Sequence, residues 1–355
     1  MSVDIVNADC SADLLTRVEA ALASNTPLRI RGGGSKGFYG RAVDGAPIDT
    51  RGHRGVVSYD PSELVVSVRA GTPLADLEAV LADAGQQLAC EPPHFGAGAT
   101  VGGMVAAGLS GPRRPWVGAV RDFVLGCRVI TGQAKHLRFG GEVMKNVAGY
   151  DLSRLMAGSL GCLGLLTEVS LKVLPLPRAS ASLRIAMTPA TALAKFAEWG
   201  QQPLPISAAC HEGEALNLRL EGGEGSVQAA RERLGGEELD AGFWRELREH
   251  RLAFFADPRP LWRLSVPVHA ALLDLPGDQL IDWGGAQRWL KSDAPAERIR
   301  AIATDAGGHA ACFTAGMVDS PLQPLPAGLL RYHRQLKAAL DPKGVFNPGR
   351  MYAEL

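Results

Sequence analysis

Residues 27–40 read PLRIRGGGSKGFYG, and the role of those glycines decides the fold. Gly32, Gly34 and Gly37 satisfy G-x-G-x-x-G after a short strand-like run, the pattern of a dinucleotide fingerprint. That fingerprint works by delivering a pyrophosphate to the N-terminus of a helix that begins among the glycines. Here the chain continues FYGRAVDGAPIDTRG, in which Gly40, Gly45 and Pro47 interrupt any apolar spacing of three and four residues. Without a following helix the Rossmann reading fails. A Walker loop fails as well, because Gly37 follows Lys36 where Ser or Thr is required. What remains is a glycine-rich turn between two strands, either an anion-binding nest of bare N–H groups or a glycine turn that carries no ligand.

The composition agrees with close backbone approaches elsewhere in the chain. Glycine accounts for 42 of 355 residues, about 12 percent against a usual ~7 percent. Lys and Arg total 37, as do Asp and Glu, and no basic block offers a nucleic-acid groove, so no nucleic-acid partner is expected. The opening MSVDIVNADC lacks a basic segment leading into an apolar core, which points to a cytoplasmic chain. The uncharged run GAGATVGGMVAAGLSG at 96–111 is too short and too rich in glycine to span a membrane and reads as a functional loop. Cysteines 10, 90, 127, 162, 210 and 312 show no Cys-x-x-Cys spacing, so neither an iron–sulfur cluster nor a structural metal is expected, and buried reduced thiols are.

Periodicity divides the chain. Leu14, Leu15, Val18 and Leu22 share one helical face in SADLLTRVEAALASN. ELVVSVRAGTPLADLEAVLADAG reads as a strand and a helix, with Thr72 as N-cap, Pro73 at the first helical position and Gly85 as the stop. Residues 123–139 read as a hairpin turning at Thr131 and Gly132. Pro175 and Pro177 then mark a boundary. Beyond it, SLRIAM, TPATALAKFAEWG, ISAACHE, LNLRLEGG and GSVQAARERLGG predict strand, helix, strand, strand, helix, a ferredoxin-like split unit. LWRLSVP and HAACFTA add strands, with the helix APAERIRAIATDAGG between them. GLLRYHRQLKAAL is a last helix, ended by DPKGVFNPGR. No internal repeat is visible.

Three stretches, RGGGSKG at 31–37, EPPHFGAGATVGGMVAAGLSGPRRPWVGAVRDFVLG at 91–126 and VMKNVAGYDLSRLMAGSLGCLGLLTEVSLKVLPLP at 143–177, together with the terminal DPKGVFNPGR, carry a resemblance. In order and spacing they are similar to the vanillyl-alcohol-oxidase, or PCMH, type of FAD-binding domain, and within it to the FAD-binding subunits of bacterial glycolate oxidases. The resemblance implies an α+β fold: an FAD-binding domain of two α+β subdomains over 1–177, and a cap domain with an antiparallel, ferredoxin-like sheet over 178–327. A C-terminal helix and tail over 328–355 would return to the FAD domain.

It further implies that the FAD pyrophosphate lies against Arg31, Gly32, Gly33, Gly34 and Ser35. Pro93, Ala99, Thr100, Gly102 and Gly103 would follow along the cofactor, with Ser110 and Gly111 nearby. Gly161, Gly164 and Val169 would lie beside the ribityl chain or adenine. Glycine would be needed where a Cβ blocks the approach of amides to the ligand. Arg113, Arg114 and Arg121 are candidate carboxylate clamps, with loop salt bridges as the plain alternative. For His94 a structural hydrogen bond is the commoner role, and for Tyr150 and Asp151 a structural network.

Oxidising a 2-hydroxy acid needs a base for the hydroxyl proton and a cation for the carboxylate. Catalytic relatives that act on D-2-hydroxy acids carry a Glu-His-Gly element before the terminal Asn-Pro-Gly. Here GGHAACFTAGMVDSPLQP holds His309 alone, and no catalytic residue is assigned. The resulting expectation is an FAD-binding subunit of a heteromeric glycolate oxidase acting on glycolate, with D-lactate as a further substrate. Its partners would be a paralogous FAD-containing catalytic subunit and an iron–sulfur subunit, which could also bring it to the inner face of the membrane. Two alternatives stay open: a self-sufficient FAD-dependent D-2-hydroxy-acid dehydrogenase, and a non-catalytic scaffold with a flavin fold.

Overall fold

The structure, a computed structural model, describes residues 5–141 and 151–355. Most of the KNVAGYDL segment, with Tyr150, lies outside the described residues. The chain divides into two compact units, one of Met1–Ser110, Gly118–Leu176 and Pro324–Leu355, the other of Gly111–Val117 and Pro177–Gln323.

In the first unit, α1 (Ser11–Ser24) buries Leu14, Val18 and Ala21. These pack with Leu28, Ile48, Ile130 and Leu165, and with Val345 and Phe346 from the far end of the chain. β1 (Leu28–Arg31) and β2 (Ala46–Asp49) run parallel. The glycine segment between them is therefore no hairpin, since residues 32–45 must carry the chain back to the start of β2. β3 (Val56–Asp60) and β4 (Val65–Arg69) lead into α2 (Leu74–Asp83). Pro73, not Thr72, occupies the N-cap position. The Thr72 hydroxyl instead accepts from Gly55 N and donates to Arg69 O, holding the turn before the helix.

After β5 (Gln86–Gln87) and α3 (Val101–Ala107) come β6 (Val124–Ile130), β7 (His136–Gly140), β8 (Leu165–Lys172) and β9 (Leu174–Pro175). An antiparallel sheet runs in the order β3-β4-β8-β6-β7. Its central β8 is buried at every position but Glu168 and Lys172, as a strand covered on both faces must be. The helix Ala327–Leu340 belongs to this unit as well.

The second unit is an eight-stranded antiparallel sheet. Its strands are β10 (Ala179–Ala186), β11 (Ile206–Glu212), β12 (Ala215–Gly222), β13 (Glu237–Glu238), β14 (Leu261–Ser265), β15 (Asp278–Asp282), β16 (Gln287–Lys291) and β17 (His309–Cys312). The order β13-β10-β12-β11-β15-β16-β14-β17 is palindromic. Strands one to four of each half stand as fourth, first, third, second, which is the order of a split βαβ unit. The two halves meet through their second strands at His211 and Ile281. The unit is thus an internal repeat that the sequence pattern had hidden. The halves differ in one connection: helix Pro189–Trp199 joins the first two strands of the first half, whereas residues 266–277 join those of the second without a helix.

Candidate functional site

A groove in the first unit opens at the end of β1, with about 1370 Å³ of free space along Arg29–Gly37, Ala42–Asp44, Thr100, Gly103, Ala106, Ala107, Leu160, Asn347 and Arg350. A recess of about 450 Å³ shares part of this wall and adds Thr50, Ala70, Gly102, Gly161, Gly164 and Leu166.

The glycines at this wall are explained by the chain itself. A Cβ on Gly33 would stand 1.3 Å from Gly98 O, and one on Gly32 2.3 Å from Thr100 Oγ1. The segment 98–100 therefore crosses the glycine loop in direct contact, and no side chain fits between them. Gly102 is small for a similar reason, its missing Cβ facing the Ala70 methyl at 2.7 Å. Its N–H donates to Ala70 O, while Leu74 N donates to Ala99 O and Val101 N to Thr72 O. These bonds lash 99–102 to 70–74. Packing of the loop on its own neighbour is thus reason enough for glycine at these positions.

The amides tell a different story. The N–H groups of Leu28 and Ile30 donate to Val345 O and to Asn347 Oδ1. Beyond them, those of Gly32, Gly33, Gly34 and Ser35 have no acceptor among the described residues. Unclaimed amides at the wall of a groove form an anion-binding concavity. Charge agrees, because Arg29, Arg31, Lys36 and Arg350 line the groove against one carboxylate, Asp44.

The loop is held from the C-terminal tail. Arg350 donates from Nη1 to Arg41 O at 2.7 Å and from Nη2 to Tyr39 O at 2.7 Å and Gly37 O at 3.1 Å. Asn347 Nδ2 donates to Leu160 O at 2.7 Å, beside Gly161, where a Cβ would meet that same Nδ2 at 2.7 Å. Buried Lys337 fixes the tail in turn, donating to Cys162 O, Phe346 O and Asp341 Oδ2, each at 2.7 Å. Asp341 also accepts from Val345 N and Phe346 N. On the other side, Lys36 Nζ donates to His94 O at 3.1 Å, and Phe38 meets Phe95 edge to face.

The groove and recess bring together Arg31, Gly32, Gly33, Gly34, Ser35, Thr100, Gly102, Gly103, Gly161 and Gly164. They do not include Pro93, Ala99, Ser110, Gly111 or Val169. Val169 is fully buried, paired between Val68 and Cys127 in the sheet. Ser110 Oγ accepts from Val120 N. Gly111 belongs to the second unit, where its carbonyl accepts from Trp283 Nε1 at 3.0 Å.

The candidate clamps have structural work. Buried Arg113 pairs with half-buried Glu221 at 2.8 Å, and Arg114 lies over the Trp283 ring at 4.3 Å. Arg121 is exposed. His94 Nε2 lies 2.9 Å from Glu78 Oε2, and Asp151 caps a short helix through Arg154 N. Asn347 and Arg350 are the site residues that local sequence patterns missed. Among the described residues no three of His, Cys, Asp and Glu come together to hold a metal. Burial pushes the Cys127 thiol up to about 12, as expected of an inert core cysteine. Among the described residues no helix is long and apolar enough to cross a membrane.

Comparison with known proteins adds chemistry to this geometry. Residues 5–140 match the family described as FAD binding domain. Glycolate oxidase subunit GlcE of Escherichia coli (strain K12) is 63% identical over 98% of this chain and 99% of its own length. Glycolate oxidase subunit GlcD of Bacillus subtilis (strain 168) is 32% identical over 36% of this chain and 27% of its own. Among solved structures, an alkyldihydroxyacetonephosphate synthase superposes with a TM-score of 0.68 at 17% identity, over 97% of this chain and 76% of that one. At that identity the likeness speaks for the fold alone.

Proposed function

The chain belongs to the family of glycolate oxidase subunit GlcE, FAD-binding oxidoreductases with a PCMH-type FAD domain, and on that premise we propose that the groove at the end of β1 is its FAD site. One observation carries this reading: the N–H groups of Gly32, Gly33, Gly34 and Ser35 stand unclaimed beside Arg29, Arg31, Lys36 and Arg350. A pyrophosphate is the part of FAD that such a wall suits, since the amides donate to its oxygens and the cations offset its charge. Thr100, Gly102, Gly103, Gly161 and Gly164 would then border the rest of the cofactor. FAD, when bound, supplies the acceptor for the hydride that leaves the substrate carbon.

The chain works in this reading as one subunit of a heteromeric glycolate oxidase. The described groove-lining residues include no His, Tyr or Glu, and Asp44 is exposed. Without a base held against the cofactor, proton removal from the substrate falls to another subunit. A second, FAD-containing subunit is supported by the GlcD match, which covers a segment of this chain rather than all of it. Electrons then pass onward to an iron–sulfur subunit, because the chain's own cysteines are scattered.

The test is a charge placed at the amides. Ser35→Glu adds a carboxylate without straining backbone, and Ser35→Gln adds the same bulk without charge. The purified chain and Ser35→Gln should hold FAD, while Ser35→Glu should bind it at least ~10-fold more weakly, about 1.4 kcal/mol. Unchanged FAD affinity in a folded Ser35→Glu chain would remove the pyrophosphate from this wall.

A further inference from the structure

The internal repeat of the second unit exposes an anomaly at Arg288. In the first half, the first and third strands end in register at Ala186 and Ala215, so that Ile185 faces Leu216 one step in. In the second half they end at Ser265 and Gln287, and Leu264 faces Arg288. Arg288 therefore occupies the place of Leu216. Leu216 is fully buried in one cluster with Ala192 and Trp199 of helix Pro189–Trp199. The second half has no such helix, and its irregular segment 266–277 exposes Val268 and Leu272.

Arg288 is nonetheless fully buried. Nη2 donates to Ala270 O at 3.3 Å, while Nε and Nη1 have no acceptor among the described residues. Close by, the ideal Cβ position of Gly285, itself at φ 103°, lies 3.5 Å from Nη1, 3.4 Å from Val268 O and 3.0 Å from Leu193 Cδ2. Burial alone lowers its pKa to about 10, with no carboxylate acting on it. Fully buried arginines are almost always paired, and a guanidinium stays charged when buried. An apolar residue would satisfy this position, as leucine does in the first half. The guanidinium is therefore placed where it gains only from a negative partner.

We propose that Arg288 is the recognition group of a small-anion site in the second unit, taking a halide or a small monocarboxylate on the donors that Ala270 leaves open. The ligand is small because the place is enclosed, and it bears one charge because one cation faces it. Segment 266–277, irregular where its counterpart is a helix, is the cover through which the anion enters. The inference does not depend on the FAD reading.

Bromide tests it directly. Crystals of the full FAD-loaded chain soaked in sodium bromide should show an anomalous peak within hydrogen-bonding distance of Arg288 Nε or Nη1. In solution, the thermal midpoint of the same protein should rise saturably by a few degrees with bromide at constant ionic strength set by a bulky anion. Arg288→Met should abolish that response and Arg288→Lys reduce it; if the first variant does not fold, the second and the wild-type crystal decide. Displacement of the peak by glycolate assigns the site to carboxylates, and persistence assigns it to halides. No bromide at Arg288, or a midpoint response equal in wild type and variant, overturns the proposal.

Discussion

Gly33 lies against Gly98 so closely that a Cβ on the former would stand 1.3 Å from the carbonyl oxygen of the latter. The contact welds the glycine loop after β1 to the segment that leads into α3, and both border the proposed FAD groove. Rigid presentation of the amides depends on it.

Gly33→Ala should accordingly destabilise the chain by about 3 kcal/mol or more whether or not FAD is present, because backbone must move to admit the methyl. Gly103→Ala is the control, since its Cβ would meet Thr100 Oγ1 at 3.1 Å and nothing closer. Urea unfolding of both apoproteins checks this. Equal midpoints for the two variants would show that the loop yields more easily than the contact implies.

The tail offers a second test. Lys337 and Asp341 are buried together at 2.7 Å, and the lysine also gathers the carbonyls of Cys162 and Phe346. Lys337→Met leaves a buried carboxylate without its cation, which typically costs 3–5 kcal/mol. Asn347 and Arg350 follow directly in the chain, so FAD affinity should fall with stability. A loss below ~0.5 kcal/mol by denaturant titration would mean that the backbone donors to Asp341 suffice alone.

Local patterns carried much of the fold. The absence of any helix after Gly37 excluded the Rossmann unit, and β10 to the helix Glu224–Leu234 follow the predicted strand, helix, strand, strand, helix. What local patterns could not show is pairing. β15 and β16 were missed because Trp283, Gly284 and Gly285 break DQLIDWGGAQRWLK into short runs without a clear period. The repeat was missed because its second copy lacks a helix, and strand order leaves no local trace. Asn347 reaches Ile30 across 317 residues of sequence, a separation at which spacing is silent. The glycines were legible as close approaches, but only the coordinates show that at Gly32 and Gly33 the approaching group is the chain's own segment 98–100.

Acid should weaken the second unit through His250. Its ring stacks on Phe255 at 4.2 Å and meets Trp289 edge-on at 4.5 Å. Burial, aided by Arg263 and Lys291, lowers its pKa to about 3. The unfolded chain takes up that proton near pH ~6.5 and the folded one does not. Stability from the neutral ring is therefore complete above ~6.5 and declines as pH falls towards about 3. His250→Phe keeps the stacking and should flatten the fall in denaturant midpoint between pH 7 and pH 5. Parallel curves for wild type and variant would place the proton uptake on other groups.

The division of labour between subunits is the remaining prediction. The described groove-lining residues include no His, Tyr or Glu, so the FAD-loaded chain alone should be reduced slowly by glycolate even at saturation. A positioned base contributes roughly 10² to 10⁴ in rate, which sets the size of the deficit. Anaerobic mixing with glycolate or D-lactate, followed at the oxidised-flavin absorbance, measures it. Slow bleaching that becomes fast when the partner subunits are added is the expected result, and adding an inactive partner should not restore it. Fast bleaching of the chain alone would instead mean that a base lies outside the groove residues described, and would make the chain a self-sufficient dehydrogenase. The Ser35→Glu variant separates the two cases from a trivial loss of cofactor, because its flavin is missing rather than unreactive.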